Sequence, residues 1–243
     1  MKPARPPTGW RRGTRNVPRI ILILVLVLVG TVAAAETYYR HRIADCIATQ
    51  VEQDLGSKVS VSLGPKPLLF TAIDHHVQYV DLDSDDATFG PAVDMKVHAR
   101  LNDISLIDNG RGGADIGSSS AEATWSNEGI AQTMKGLISG VRSDSSTGVL
   151  DFEVFGGIAD LQVKPQIVGD HIEVITQSAQ LFGLGLPTDL VDGIVDLMTE
   201  SLQNDPLNLK PTEVRVTDNS IEIRMAGGPT KLELQQNTEA YTC

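Results

Sequence analysis

Alternation in residues 92–101 (AVDMKVHARL) is the feature that most constrains the fold. Every second residue from Val93 to Leu101 is apolar, and the four residues between them are charged or histidine. This period of two predicts a β-strand, because successive side chains of a strand point to opposite faces. A strand with one apolar and one polar face is typical of an antiparallel sheet that covers a core with one side.

Further strands are predicted along most of the chain, separated by turns rather than by long helices. Gly169-Asp170 and Asp218-Asn219 are predicted hairpin turns, and the glycine- and serine-rich residues 109–120 predict a loop. The other predicted strands lie at residues 58–63, 77–83, 121–125, 148–155, 159–168, 171–181, 213–217 and 221–225.

Three helices are predicted around these strands. Apolar stripes with helical spacing occupy residues 36–55 and 190–202. Ser126 and Glu128 predict the N-cap and first turn of a helix that continues to about residue 138. Helices at both ends of an antiparallel series of strands predict an α+β fold and not a doubly wound parallel sheet.

Residues 1–35 predict an export segment. They carry six basic and no acidic residues, and the uncharged apolar residues 20–35 end in Ala33-Ala34-Ala35. This layout predicts a secretory signal peptide that is cleaved before Glu36. The alternative is an uncleaved anchor, although the sixteen uncharged residues are fewer than the roughly 20 that span a bilayer. Both interpretations place the body outside the cytoplasm, because the positive charge stays inside.

The remainder of the chain is predicted to be one domain at residues 36–228, followed by a polar tail at residues 229–243. Cys46 and Cys243 are its two cysteines. An even number of cysteines in an exported chain predicts a disulfide between them, with two free thiols as the alternative. Beyond residue 35 the chain has 14 basic and 31 acidic residues. A body that acidic repels nucleic acid phosphates, so nucleic-acid binding is excluded.

Catalytic and metal-binding motifs are not found in the sequence. The nucleophile elbow, the phosphate-binding loops and the H-E-x-x-H motif are missing, so we predict no enzyme, no catalytic residue and no cofactor. His75 and His76 are adjacent, and neighbours on a strand point to opposite faces, so we predict no metal site there. Asp81 and Asp83 begin a calcium-like D-x-D-x-D pattern that lacks its glycine and its final glutamate, and we interpret them as an acidic outer edge.

Two apolar segments have no obvious place in a regular element. One is the Pro67-Leu68-Leu69-Phe70 turn, which could form one helical turn to Ile73. The other is LFGLGL at residues 181–186, just before the last helix. Ordinary core packing is one explanation, and an apolar pocket between helix and sheet is the other. The predicted lipid-binding residues of such a groove are Leu68, Leu69, Phe70, Ile73, Phe182, Leu184, Leu186, Val191, Ile194 and Met198.

Residues 39–227 resemble the LmeA-like family of actinobacterial cell-envelope proteins. The resemblance rests on the first helix (RIADCIATQVEQDLG), the strand that enters the Pro-Leu-Leu-Phe turn (VSLGPKPLLFTAIDHHVQYVDLD) and the long alternating strand (AVDMKVHARLNDISL). The closing hairpin (KPTEVRVTDNSIEIRMAGG) completes it, with Ser220 where the family usually has a second glycine. The family motifs contain no catalytic residue.

The resemblance implies a tubular lipid-binding fold, similar to bactericidal permeability-increasing protein, in which a long twisted sheet wraps amphipathic helices. It implies a phospholipid ligand, including phosphatidylinositol types, contact with the cell membrane and a role in envelope lipid transport or lipomannan assembly. It places the body in the periplasm or cell envelope, secreted or anchored by residues 20–35. The alternatives are a membrane-anchored interaction domain with a solid core and, from another class, an envelope hydrolase.

Overall fold

The computed structural model describes residues 17–55, 58–89, 92–108, 112–181, 184–185, 187–203 and 209–232. Within these residues the chain forms two antiparallel sheets and four helices, so the predicted α+β class is confirmed. The helices are α1 (Val17–Leu55), α2 (Leu68–Asp74), α3 (Asn127–Thr133) and α4 (Thr188–Gln203). The strands are β1 (Ser60–Leu63), β2 (His76–Phe89), β3 (Ala92–Leu106), β4 (Ala114–Ser126), β5 (Ile138–Asp144), β6 (Val149–Val154), β7 (Ala159–Val168), β8 (His171–Leu181), β9 (Leu184–Gly185), β10 (Lys210–Val216), β11 (Ser220–Gly227) and β12 (Thr230–Leu232).

The first sheet has the strand order β1-β2-β3-β4-β11-β10, and β12 also pairs with β4. The second sheet joins β5 to β9 in chain order, as an antiparallel meander. Both predicted hairpins are confirmed, since β7 and β8 meet at Gly169-Asp170 and β10 and β11 meet at Asp218-Asn219. After the second sheet the chain returns to the first, where β11 pairs with β4 and β10 pairs with β11.

The long strand β3 alternates as predicted, but the alternation shifts by one residue near its C-terminal end. The buried residues Met95, Ala99 and Leu101 have odd numbers, whereas the buried Ile104 has an even number. Asp103 causes the change, because its φ of 53° places it in the left-handed region. Gly117 is opposite Asp103 on β4, where an added Cβ would lie 2.8 Å from the Asp103 Cβ. Only glycine fits this close approach of the two strands.

Two sequence predictions are wrong at β4 and α3. Residues 114–120, predicted as part of a loop, are strand, because pairing with β3 provides hydrogen bonds that outweigh the low strand propensity of glycine and serine. The helix after Ser126 ends at Thr133 and not near residue 138. Its predicted N-cap is confirmed, since the Ser126 hydroxyl accepts a hydrogen bond from the Gly129 amide at 3.0 Å.

The main core lies between α3, α4, the second sheet and the adjacent ends of β3, β4 and β11. Trp125, Phe152, Ile194 and Met198 are at most 1% exposed within it. A smaller cluster near the other end of β3 contains Val80, Leu101, Ile104 and Ile116. The first sheet thus carries most of its buried apolar area at one end and a thinner apolar layer at the end that adjoins α1 and α2.

Candidate functional site

The Pro67-Leu68-Leu69-Phe70 segment forms the start of α2, as predicted. Pro67 precedes the helix with φ −59° and ψ 137°, and its carbonyl accepts hydrogen bonds from the Phe70 amide (3.0 Å) and the Thr71 amide (3.3 Å). Pro67 suits this position because its fixed φ matches it and its missing N–H is not needed there. His75 ends the helix in the left-handed region, with φ 54°, and its amide donates to the Thr71 carbonyl at 2.8 Å.

Arg40 of α1 fixes the loop that leads into α2. Its guanidinium donates to the carbonyl oxygens of Leu63 at 3.0 Å, Gly64 at 2.6 Å and Lys66 at 2.8 Å. Glu36, one turn earlier, accepts from Arg40 at 3.2 Å and from the Leu68 amide at 2.8 Å. The Glu36–Arg40 pair therefore supplies hydrogen-bond partners to four backbone groups in the segment that leads from β1 into α2.

Lys66, two residues before α2, contacts residues at the C-terminal end of this helix. Its ammonium group forms a salt bridge with Asp74 and donates to the His76 carbonyl at 2.9 Å. Asp74 also accepts from the His76 amide at 3.1 Å. The hydrogen bond from Lys66 is the main cause that lowers the pKa of the Asp74 carboxyl below its usual 3.8. A helix of seven residues is marginally stable by itself, so the contacts of Lys66 and Asp74 stabilise α2.

An open, mostly apolar pocket of about 680 Å³ lies between α1 and α2. Its α1 wall is a stripe with helical spacing, and its α2 wall includes Leu68 and Leu69. Leu106, at the end of β3, closes one side. The lining residues are Val32, Ala35, Glu36, Tyr39, Ile43, Leu68, Leu69, Thr71, Ala72, His75 and Leu106. Carbon atoms dominate the wall, and the volume is in the range of small-ligand pockets, about 300–1,000 Å³.

The predicted site residues of α2 divide between this pocket and the surface. Leu68 is half-buried and lines the pocket, and Leu69 lines it while remaining 59% exposed. Phe70 and Ile73 are 60% and 78% exposed and are not among the lining residues. Part of the predicted set therefore faces the cavity and part faces outward.

The predicted site residues of α4 lie elsewhere. Ile194 and Met198 are fully buried in the main core, and Val191 packs against it. Phe182 and Leu186 lie outside the described residues, and Leu184 is described only by its backbone in β9. In the described part of the chain, the pocket at α2 is not lined by α4. A groove that joins the two segments stays a prediction.

The histidines and aspartates that follow α2 have structural partners. His75 is the C-cap residue of α2, and His76 is the first residue of β2. Across the β2–β3 ladder, Asp81 accepts two hydrogen bonds from Arg100, at 2.5 and 2.8 Å, and Asp83 lies 2.5 Å from the His98 ring. Arg100 is the main cause that lowers the pKa of Asp81.

The interpretation of Asp81 and Asp83 as an acidic outer edge is wrong. β1 pairs with this part of β2, with Ser62 opposite Asp81 and Ser60 opposite Asp83, so β2 is an inner strand there. The charges are tolerated because the cross-strand neighbours of both aspartates are Arg100 and His98. Among the described residues, no group of three His, Cys, Asp or Glu side chains is placed to hold a metal ion.

Sequence reasoning missed the contribution of α1 to the site. The sequence pattern places Val32 and Ala35 in an export segment and Tyr39 and Ile43 in an amphipathic stripe, but all four line the pocket. The available signal was a Glu36–Arg40 pair at i, i+4 in register with that stripe. Its partner lies about 30 residues later in the chain, which no local pattern reveals.

The helix α1 passes through Ala35 without interruption and has 39 residues. Leu22–Thr49 is long and apolar enough to cross a membrane, as a signal sequence or an anchor would be, and its most apolar stretch is not buried in the protein. Cys46 lies on α1, whereas Cys243 lies outside the described residues, so the disulfide between them stays a prediction.

Comparisons with known proteins agree with the apolar character of the site. The sequence profile of the LmeA-like phospholipid-binding family matches residues 30–226. An uncharacterised protein of Mycobacterium bovis and uncharacterised proteins of two Mycobacterium tuberculosis strains are each 24% identical to the chain over 230 residues. The match covers 89% of this chain but 65% of each relative, so the chain spans about two thirds of their length. No solved structure matches.

Proposed function

This chain belongs to the LmeA-like phospholipid-binding family, and we propose that it is an exported protein that holds a phospholipid by its acyl part in the α1–α2 pocket. The observation that supports this site is the combination of a 680 Å³ cavity, apolar walls and an open mouth beside a membrane-competent helix. The proposed role is envelope lipid transport or support of lipomannan assembly. A phosphatidylinositol-type lipid is the proposed ligand.

Acyl-chain binding requires few of the groups that an enzyme needs. Each methylene removed from water contributes roughly 0.8 kcal/mol, so the burial of ten methylenes would contribute roughly 8 kcal/mol before the costs of binding. The polar lining residues Glu36, Thr71 and His75 supply oxygen and nitrogen atoms that could face a headgroup. Glu36 is already paired with Arg40 and the Leu68 amide. Thr71 and His75 are therefore the stronger candidates for headgroup contacts.

We also propose that residues 20–35 are kept as an anchor. Cleavage after Ala35 would remove Val32 and Ala35, which form one wall of the pocket. It would also make Glu36 the first residue, although Glu36 accepts the hydrogen bond from the Leu68 amide. The intact mass of protein extracted from the envelope fraction tests this proposal. A mass that corresponds to a chain beginning at Glu36 contradicts it.

Native mass spectrometry of the detergent-extracted full chain tests lipid binding. We expect a mass increase equal to one phospholipid, and organic extraction should identify the lipid. Chain that stays empty after incubation with phosphatidylinositol, phosphatidylglycerol and phosphatidylethanolamine vesicles would refute the function. Because this measurement is made on the full chain, the α1 wall of the pocket is intact in it. The intact mass of the envelope protein tests retention of residues 20–35 separately, so failure of one proposal can be told from failure of the other.

A membrane-anchored interaction domain with a solid core is the second candidate. The observation in its favour is the complete burial of Ile194 and Met198, since α4 fills space between the sheets that a lipid would need. The same mass measurement decides between the two candidates. A protein that carries no lipid but retains protein partners after gentle extraction favours this alternative.

A further inference from the structure

Three large apolar side chains of α2 are exposed to solvent. Leu69, Phe70 and Ile73 are 59%, 60% and 78% exposed, and no residue of the seven-residue helix is buried. We call these three residues the α2 tip. Single exposed apolar residues are common on proteins, but a cluster on one short helix indicates a surface that another apolar phase covers.

The position of the α2 tip along α1 indicates what that phase is. The Leu68 amide donates a hydrogen bond to the Glu36 carboxylate, and the pocket between the helices extends along α1 to Val32. Residues 20–39 of α1 contain one charged side chain, that of Glu36, and it is already paired. Twenty residues of helix span about 30 Å, which equals the hydrocarbon thickness of a bilayer. The α2 tip therefore lies near the end of a segment that fits a membrane.

The residues that follow on α1 mark the boundary between membrane and water. Tyr38 and Tyr39 are each 59% exposed and pack edge to face, with their ring centroids 5.5 Å apart. Exposed tyrosines concentrate at the interface between the hydrocarbon and the headgroups. The exposed Arg42 comes next on the helix, where basic side chains reach headgroups and water. The boundary thus falls about one turn beyond Ala35, at the level of α2.

We propose that the α2 tip inserts into the leaflet at which α1 leaves the membrane. The occupant is lipid, because the large apolar side chains of α1 between Leu22 and Val32 are exposed too, and only a bilayer covers them together with the tip. The open pocket, which Ala35 and Leu69 line, then adjoins that leaflet, so an acyl chain can enter without crossing water. The inference rests on retention of residues 20–35 but not on lipid capture by the pocket.

Tryptophan quenching by brominated lipid tests the insertion. The Trp10→Phe substitution leaves Trp125 as the one native tryptophan of the full chain. This chain is reconstituted, one copy per disc, in nanodiscs of phosphatidylcholine that carries bromine on the acyl carbons nearest the headgroup. Phe70→Trp reports the α2 tip. Phe155→Trp is the matched control, because Phe155 is 48% exposed in the β6–β7 turn of the other sheet. Trp125 is 1% exposed and contributes the same background to both variants.

We expect the Phe70→Trp variant to be quenched at least about twofold more strongly than the control, since interfacial side chains lie within about 5–10 Å of the headgroup boundary. Equal quenching of the two variants overturns the inference. Blue-shifted emission without quenching also overturns it, because a protein surface would then cover the tip. If Phe70→Trp does not fold, Ile73→Trp provides the same readout from the same helix. An empty pocket in mass spectrometry together with strong quenching would refute lipid capture and leave the insertion intact.

Discussion

The two ends of the first sheet differ in what covers them. At one end Trp125, Ile194 and Met198 are at most 1% exposed and pack against the second sheet, whereas at the other end α2 has no buried residue. α2 and α4 both contain residues of the predicted lipid-binding set, but the structure exposes those of α2 and covers those of α4. The difference shows that one end supplies stability and the other keeps apolar surface available.

The largest expected effect is on the free energy of unfolding. Phe152→Ala should cost about 3–5 kcal/mol, because it empties a fully buried site in the main core. Phe70→Ala, the same substitution at a 60% exposed site, should change stability by about 0.5 kcal/mol or less. Denaturant unfolding of both variants measures the contrast. Equal losses would show that α2 is part of the stabilising core.

The attachment of α2 to α1 should be sensitive to Arg40. Arg40→Met removes the donor of three hydrogen bonds to the loop carbonyls, which should lower the opening free energy of α2 by about 1–3 kcal/mol. Hydrogen exchange at the amides of Leu68–Asp74 should accelerate while the main core keeps its protection. Arg42→Lys, an exposed site on the same helix, is the control. Unchanged exchange in Arg40→Met would mean that the loop holds α2 without α1.

Lipid retention should depend on the pocket wall at α2. Leu69→Asp places a charge in an apolar wall and should lower lipid affinity about tenfold, which corresponds to about 1.4 kcal/mol. Ile158→Asp introduces the same charge at a 48% exposed apolar residue in the second sheet's β6–β7 turn, and it should leave the bound lipid unchanged. Quantified lipid per mole of folded protein provides the comparison. Equal losses in both variants would place the ligand elsewhere.

The smallest expected effect is a pH dependence of the Lys66–Asp74 salt bridge that stabilises α2. Lys66 lowers the pKa of Asp74 below 3.8, so the contribution of this salt bridge is present above pH 3.8 and is lost as the pH falls through the lowered pKa. Asp74→Asn should abolish that acid-dependent change without affecting exchange in the core. Amide chemical shifts of α2, followed from pH 6 to pH 2, report the transition. If the transition persists in the Asp74→Asn variant, a group other than the Asp74 carboxyl causes it.

Local patterns predicted those elements whose partners lie nearby in the chain. The alternation of β3, the Ser126 cap, the hairpins at Gly169-Asp170 and Asp218-Asn219 and the turn at Pro67 depend on neighbouring residues. They were identified because φ restrictions, capping and side-chain period act over a few residues. The start of β4 was missed because its serines are held in a strand by β3 and not by their own propensity.

The sequence by itself determined the α+β class, the membrane-competent helix, the apolar turn at α2 and the family. Only the tertiary structure decided which apolar segments are covered, because a hydrophobic pattern shows a face but does not show what packs on it. Long-range contacts buried α4 in the core and left α2 exposed. They also placed Val32 and Ala35, which belong to the predicted export segment, in one pocket with Leu69.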